Sequence, residues 1–126
     1  MLTFIDAIKD RLQGKAPKGA KRSKHWRKVR KEHLKRFPFC AICGRKKKVQ
    51  VHHKHPFHFA PELELEPSNL RSLCENKKNG ISCHLLIGHL GNFRRVNTSV
   101  DADILYWRMK LGVFYKNSGL KEPIGF

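Results

Sequence analysis

A chain of 126 residues with 27 Lys and Arg against 10 Asp and Glu, a formal charge of +17, is long enough for one domain and too short for two of ordinary size. Like charge at that density strains a compact state unless a polyanion offsets it, which points to nucleic acid as the partner. The charge is packed into clusters rather than spread along an amphipathic face, and no apolar run approaches the roughly 18 residues of a spanning helix, so a membrane role is not expected.

The opening MLTFIDAIKDRLQGK puts acidic residues where a secretory leader needs an apolar run, so the four cysteines are expected in a reducing, cytoplasmic setting. Thr3 can cap a short helix in which Phe4, Ile5, Ile8 and Leu12 recur at near-helical spacing until Gly14. Lys15 to Ser23 mixes Pro, Gly and charge and reads as a linker. Three regions follow: an N-terminal helix and basic arm over 1–23, a folded domain over 24–112, and an irregular tail over 113–126.

Ser23 opens a second helix with Trp26, Val29, His33 or Leu34, and Phe37 along one side, ended by Pro38. Between Lys15 and Lys48, fifteen Lys and Arg stand against Glu32 alone. A surface that is merely soluble mixes both signs, so Arg27, Lys28, Arg30, Lys31, Lys46 and Lys47 are candidates for contact with a phosphate backbone.

Cys40-Ala-Ile-Cys43-Gly44 reads as a knuckle whose glycine lets the chain turn. Val49-Gln-Val51 predicts a strand running into His52-His53. In FHFAPELELEP the prolines Pro61 and Pro67 favour an extended loop over a strand, and Ser68 to Cys74 resumes the alternation of a returning strand. ENKKNGIS is a polar excursion with an Asn79-Gly80 turn, and CHLLIGHL is apolar enough for a short buried helix closing near Gly91. A last helix is expected from about Asp101 to Leu111, with Ala102, Leu105, Tyr106 and Met109 on one face and Ser99 or Asp101 as cap.

Cys40, Cys43, Cys74 and Cys83 supply four soft ligands, enough to close a tetrahedral structural zinc site. The wide spacing of the second pair demands a loop that bulges out and returns; two disulfides or four buried thiols are the alternatives. A closed four-thiolate site leaves His52, His53 and His84 free. Neighbours on a strand point to opposite faces, so His52 and His53 are expected to divide roles. Such a division suits phosphodiester hydrolysis, where one imidazole helps hold a divalent ion and another takes a proton from water.

Cys40 with Cys43-Gly44, Val51-His52-His53, Pro56, Asn69-Leu70, Leu73-Cys74 and Cys83-His84 together resemble the HNH endonuclease family, in order and spacing, over roughly residues 26 to 92. The resemblance implies an α+β, ββα-metal fold, a hairpin packed on a helix, with flanking helices and a structural zinc. It implies His52 and His84 as ligands of a catalytic divalent ion, His53 as the general base, and Asn69 as the residue that orients the loop and the base. Imidazole ligands favour Ni2+, Co2+, Mn2+ or Zn2+ over Mg2+ for that ion. Similar small proteins with the pattern of Trp26-Arg27-Lys28-Val29-Arg30 and of Cys83-His84 to Gly88-His89 occur in phages and prophages. That implies DNA as substrate, DNA-packaging or other DNA-processing proteins as partners, and the cytoplasm of a bacterium or infected host.

Five steps of about 100° carry His89 about 140° round a regular helix from His84, so it is not expected to share an ion unless Gly88 permits a bulge. His55 and His58 flank the hairpin connection, where substrate contact and plain solvation are both open. Two other classes fit the charge: a zinc-stapled DNA-binding or packaging-accessory module that does not cut, and an RNA-binding zinc protein. Neither needs His52, His53, Asn69 and His84 together.

Overall fold

The computed structural model describes residues 21–75 and 82–111. The expected N-terminal helix around Phe4 to Leu12, the linker up to residue 20, the Asn79-Gly80 turn and the tail over 113–126 lie outside the described residues. The described part is a small α+β unit. It runs α1 (Trp26–Arg36), β1 (Val49–His53), β2 (Leu70–Cys74), a π-helical turn (His84–Gly88) and α2 (Val100–Lys110). None of its helices is long and apolar enough to cross a membrane.

The helix α1 begins three residues after Ser23, whose carbonyl and hydroxyl accept the amides of Trp26 and His25 and shape the entry. It closes at Phe37, before Pro38, as expected. Of the alternatives His33 and Leu34, the buried one is His33. Burial, with Arg71 and Arg36 nearby, brings its imidazole down to about 4, so it packs as a neutral ring.

The strands β1 and β2 pair antiparallel, with Val49 opposite Cys74, His52 opposite Arg71 and His53 opposite Leu70. Their connection is not purely extended. Pro61–Leu63 and Pro67–Asn69 are short 3-10 turns, each opened by a proline whose missing N–H would have gone unpaired there anyway. The cysteine knuckle docks on the outer end of the hairpin through Ala41 N–H to Ser72 O at 2.8 Å, and the Ser72 hydroxyl donates to Phe37 O at 2.7 Å. The core sits there: Cys40, Ala41, Ile42, Cys43, Leu73, Cys74, Cys83, Val100 and Ile104 form one buried cluster.

The helix α2 has the expected span and a different inner face. Val100 and Ile104 are buried, one turn apart, while Leu105, Tyr106 and Met109 are exposed. Neither Ser99 nor Asp101 caps it with a side chain. Asp101 instead receives Arg71 Nε and Nη2 at 2.8 and 2.9 Å and Lys54 Nζ at 2.9 Å, tying α2 to the hairpin.

Burial pushes the Asp101 carboxyl up, but hydrogen bonds from Arg71 and Lys54 outweigh it and hold the group below the usual carboxylate range. A depressed folded pKa stabilises above the unfolded value, and that contribution fades as pH falls through the folded one. Asp101→Asn is expected to cost about 2 kcal/mol at neutral pH, less than a fully buried pair because water still reaches the carboxylate. A denaturant titration reads this, and an unchanged midpoint would mean that Arg71 is satisfied by the carbonyls of Ser68 and Leu70, to which it also donates.

Candidate metal centres

Cys40 and Cys43 leave the knuckle, Cys74 ends β2 and Cys83 opens the π-helical turn. Their sulfurs all lie within 4.8 Å of one another, and none is in a disulfide. Gly44, at φ 73°, makes the turn that a side chain would resist, and its N–H closes the knuckle on Cys40 O at 3.0 Å. The thiols perturb one another. Neighbouring S–H donors, Cys40 first, pull Cys74 and Cys43 down, while Cys43 and Cys74 hold Cys40 up and Cys40 holds Cys83 up. Four buried thiols that cannot all ionise unaided fit one ion that makes all four thiolates, as a structural zinc site does.

The second cluster is His52, His84 and His89, with one nitrogen from each ring within 4.8 Å of the others. Ring centroids lie 5.1 Å (His52–His84), 4.8 Å (His52–His89) and 4.9 Å (His84–His89) apart. His52 is 3% exposed and neither of its nitrogens has a hydrogen-bond partner, an arrangement that costs stability unless the cluster takes up an ion. Burial first, then mutual repulsion, lowers His52 to about 3 and also lowers His84, so both rings are neutral at pH 7, the state in which an imidazole can ligate a metal.

His89 is the departure from the regular-helix expectation. His84–Gly88 is wound as a π-helical turn, in which a residue five steps on returns over the first, as a residue four steps on does in an α-helix. The Asn97 side chain holds that turn by donating to Ile87 O at 2.8 Å and to Asp103 at 2.7 Å. The His89 Nδ1–H donates to Arg95 O at 3.0 Å, which leaves Nε2 with the lone pair. Glu75 Oε1 lies 3.5 Å from His84 Nδ1, near enough to attract the ring without a hydrogen bond to it. Asn97, Glu75 and the Arg95 carbonyl were not singled out from sequence.

A Cβ on Gly88 would come within 3.1 Å of Leu73 Cδ1 and 3.2 Å of the His52 ring. Gly88→Ala is therefore expected to tilt His52 and weaken divalent-ion binding at this cluster about tenfold, the size of a lost supporting contact. Calorimetric titration of protein with its cysteine site filled reads the change, and wild-type affinity would show that the turn yields instead.

His53 lies on the other face of β1, against Trp26, with ring centroids 4.5 Å apart. Its Nε2–H donates to Glu64 O at 2.9 Å, so Nδ1 carries the lone pair. Burial lowers its pKa and the Glu64 carbonyl opposes the shift. Asn69 is buried and gives all its hydrogen bonds to loop backbone: Oδ1 accepts His55 N–H at 2.8 Å, and Nδ2 donates to His55 O at 3.1 Å and Leu63 O at 3.0 Å. It thus pins the segment whose next residue holds His53.

Arg27, Lys28, Lys31, Lys46 and Lys47 are exposed, whereas Arg30 is half-buried and donates to Gln50 Oε1 at 3.0 Å. The Arg22 guanidinium lies over both Trp26 and Phe57, 5.7 and 5.4 Å from the ring centroids, on the His53 side of the hairpin. His55 is exposed and His58 half-buried, neither within the three-histidine cluster.

Residues 40–88 match the family model described as HNH endonuclease, a span that runs from the first cysteine to the end of the π-helical turn. No curated protein and no solved structure matches the chain.

Proposed function

We infer, from the match of residues 40–88 to the HNH endonuclease model, a metal-dependent DNA endonuclease that hydrolyses phosphodiester bonds, by nicking or by double-strand cleavage. The observation that carries this reading is the pairing of three imidazoles at one point with a fourth, on the opposite strand face, whose tautomer is set. A purely DNA-binding module has no use for either.

In this reading His52, His84 and His89 hold a divalent ion, one ligand more than the sequence suggested. The donor set fits Ni2+, Co2+, Mn2+ or Zn2+ better than Mg2+. When bound, the ion polarises the scissile phosphate and offsets charge on the leaving oxygen. His53 Nδ1 takes the proton from the attacking water, and the Glu64 carbonyl keeps the ring in that tautomer and strengthens its hold as the imidazolium forms. Asn69 acts through the loop, by keeping Leu63 and hence Glu64 in place. The lysines and arginines of α1 and the segment before β1 bind phosphates without reading bases. Cys40, Cys43, Cys74 and Cys83 hold a structural zinc.

Supercoiled plasmid incubated with purified protein and a series of divalent ions tests the reading. Relaxation that requires an ion and stops with chelator supports it. Retarded plasmid that stays supercoiled with every ion would favour the non-cutting, zinc-stapled accessory module, and phage DNA-packaging or other DNA-processing proteins would then be the partners to seek.

A further inference from the structure

Leu90 and Phe93 stand exposed, at 45% and 50%, on the loop that follows the three-histidine cluster. Leu90 has φ 55°, a left-handed conformation that glycine or asparagine adopts readily and a bulky side chain does not. An apolar side chain left in water on a disfavoured backbone gains nothing for folding.

The loop is held in place. Gly91 N–H donates to Leu85 O at 2.8 Å, Arg95 Nη1 to Leu90 O at 3.3 Å, and Arg94 N–H to Asn92 Oδ1 at 2.9 Å. The Phe93 ring rests on His84 and His89, with centroids 5.6 and 5.2 Å apart. An apolar tip flanked by exposed Arg94 and Arg95 thus projects beside the ligand cluster.

We propose that Leu90, backed by Phe93, is a wedge that enters a base step of duplex DNA beside the phosphate bound at the histidine cluster, while Arg94 and Arg95 take neighbouring phosphates. The proposal rests on the endonuclease reading and adds a substrate preference to it. The flanking arginines match a polyanion, and a second copy of a chain at +17 would meet its own charge. Apolar wedges open a base step from the minor groove and kink the duplex, at a cost that depends on the step. Pyrimidine–purine steps unstack most readily. Cuts therefore concentrate beside TA and CA/TG steps, with no hydrogen bond to a base.

Leu90→Asn separates the wedge from the fold, because asparagine tolerates the left-handed backbone and removes the apolar tip. Melting temperature and metal affinity are expected to stay at wild-type values. Cleavage of fully paired duplex is expected to fall about tenfold, the scale of an unpaid unstacking cost. The step preference, read by sequencing cut ends, flattens, and on duplex with a single-base bulge the two proteins cut within about twofold of each other. Wild-type rate and step preference in Leu90→Asn would overturn the proposal. If the wild-type protein binds but does not cut, the endonuclease reading fails first, and the wedge is judged by binding. A 2-aminopurine in a TA step should then brighten with wild type and stay dark with Leu90→Asn, and no brightening with wild type overturns it. Phe93→Ala should shift preference in the same direction, with metal affinity measured alongside because its ring touches two ligands.

Discussion

His53→Ala is expected to lower plasmid cleavage by a factor of about 10² to 10⁴, the usual share of proton transfer by a positioned base, with zinc content and DNA affinity unchanged. Among the described residues the ring is held by Nε2–H donating to Glu64 O and by packing against the Trp26 ring. Removing it leaves the carbonyl of the buried Glu64 without that donor, a loss of about 1–3 kcal/mol against a net stability of roughly 5–15. The fold should therefore survive while the chemistry does not. His52→Ala is the control that divides base from ligand. It should abolish ion binding at the histidine cluster, whereas His53→Ala should titrate with divalent ion like the wild type. An unchanged nicking rate in His53→Ala would remove His53 from the mechanism.

Removal of the ion proposed at the four cysteines is expected to unfold the described domain. Four of the nine buried core residues are the cysteines themselves, and the remaining apolar members are few: Ala41, Ile42, Leu73, Val100 and Ile104. A core of that size, in a chain of +17, has little to set against chain entropy. Structural zinc contributes on the order of 10 kcal/mol or more, as large as the net stability of a typical domain. Cys74→Ser should have the greatest effect. Its side chain is fully buried at the end of β2, its residue pairs with Val49, and its sulfur lies 3.6 Å from that of Cys43. Circular dichroism and zinc release by a thiol reagent should follow one another. A cooperative melt near the wild-type temperature in zinc-free Cys74→Ser would show that the hydrophobic cluster suffices alone.

How far the candidate site could be read along the chain depended on the range of the forces that built it. The knuckle was legible because two residues between cysteines place both thiols at one point whatever the rest does. So was the opposite facing of His52 and His53, since alternation follows from the extended backbone itself: the first is buried in the histidine cluster and the second packs on Trp26. The loop with Pro61 and Pro67 was legible as a non-strand, but its two 3-10 turns were not.

The inner face of α2 could not be read in this way. Leu105, Tyr106 and Met109 recur at helical spacing as well as Val100 and Ile104 do, and only docking on the cysteine cluster selects the latter pair. Hydrophobic period says that a helix has a face, and tertiary contact says which face is covered.

By itself, then, the sequence determined the four-thiol site, the strand that splits the histidine pair, and the excess of positive charge, all of which follow from local spacing and composition. Only the tertiary structure decided that His89 joins His52 and His84. The π-helical winding that brings it round depends on Gly88 lying against His52 and on Asn97 reaching Ile87 O from ten residues away, contacts that no local period encodes.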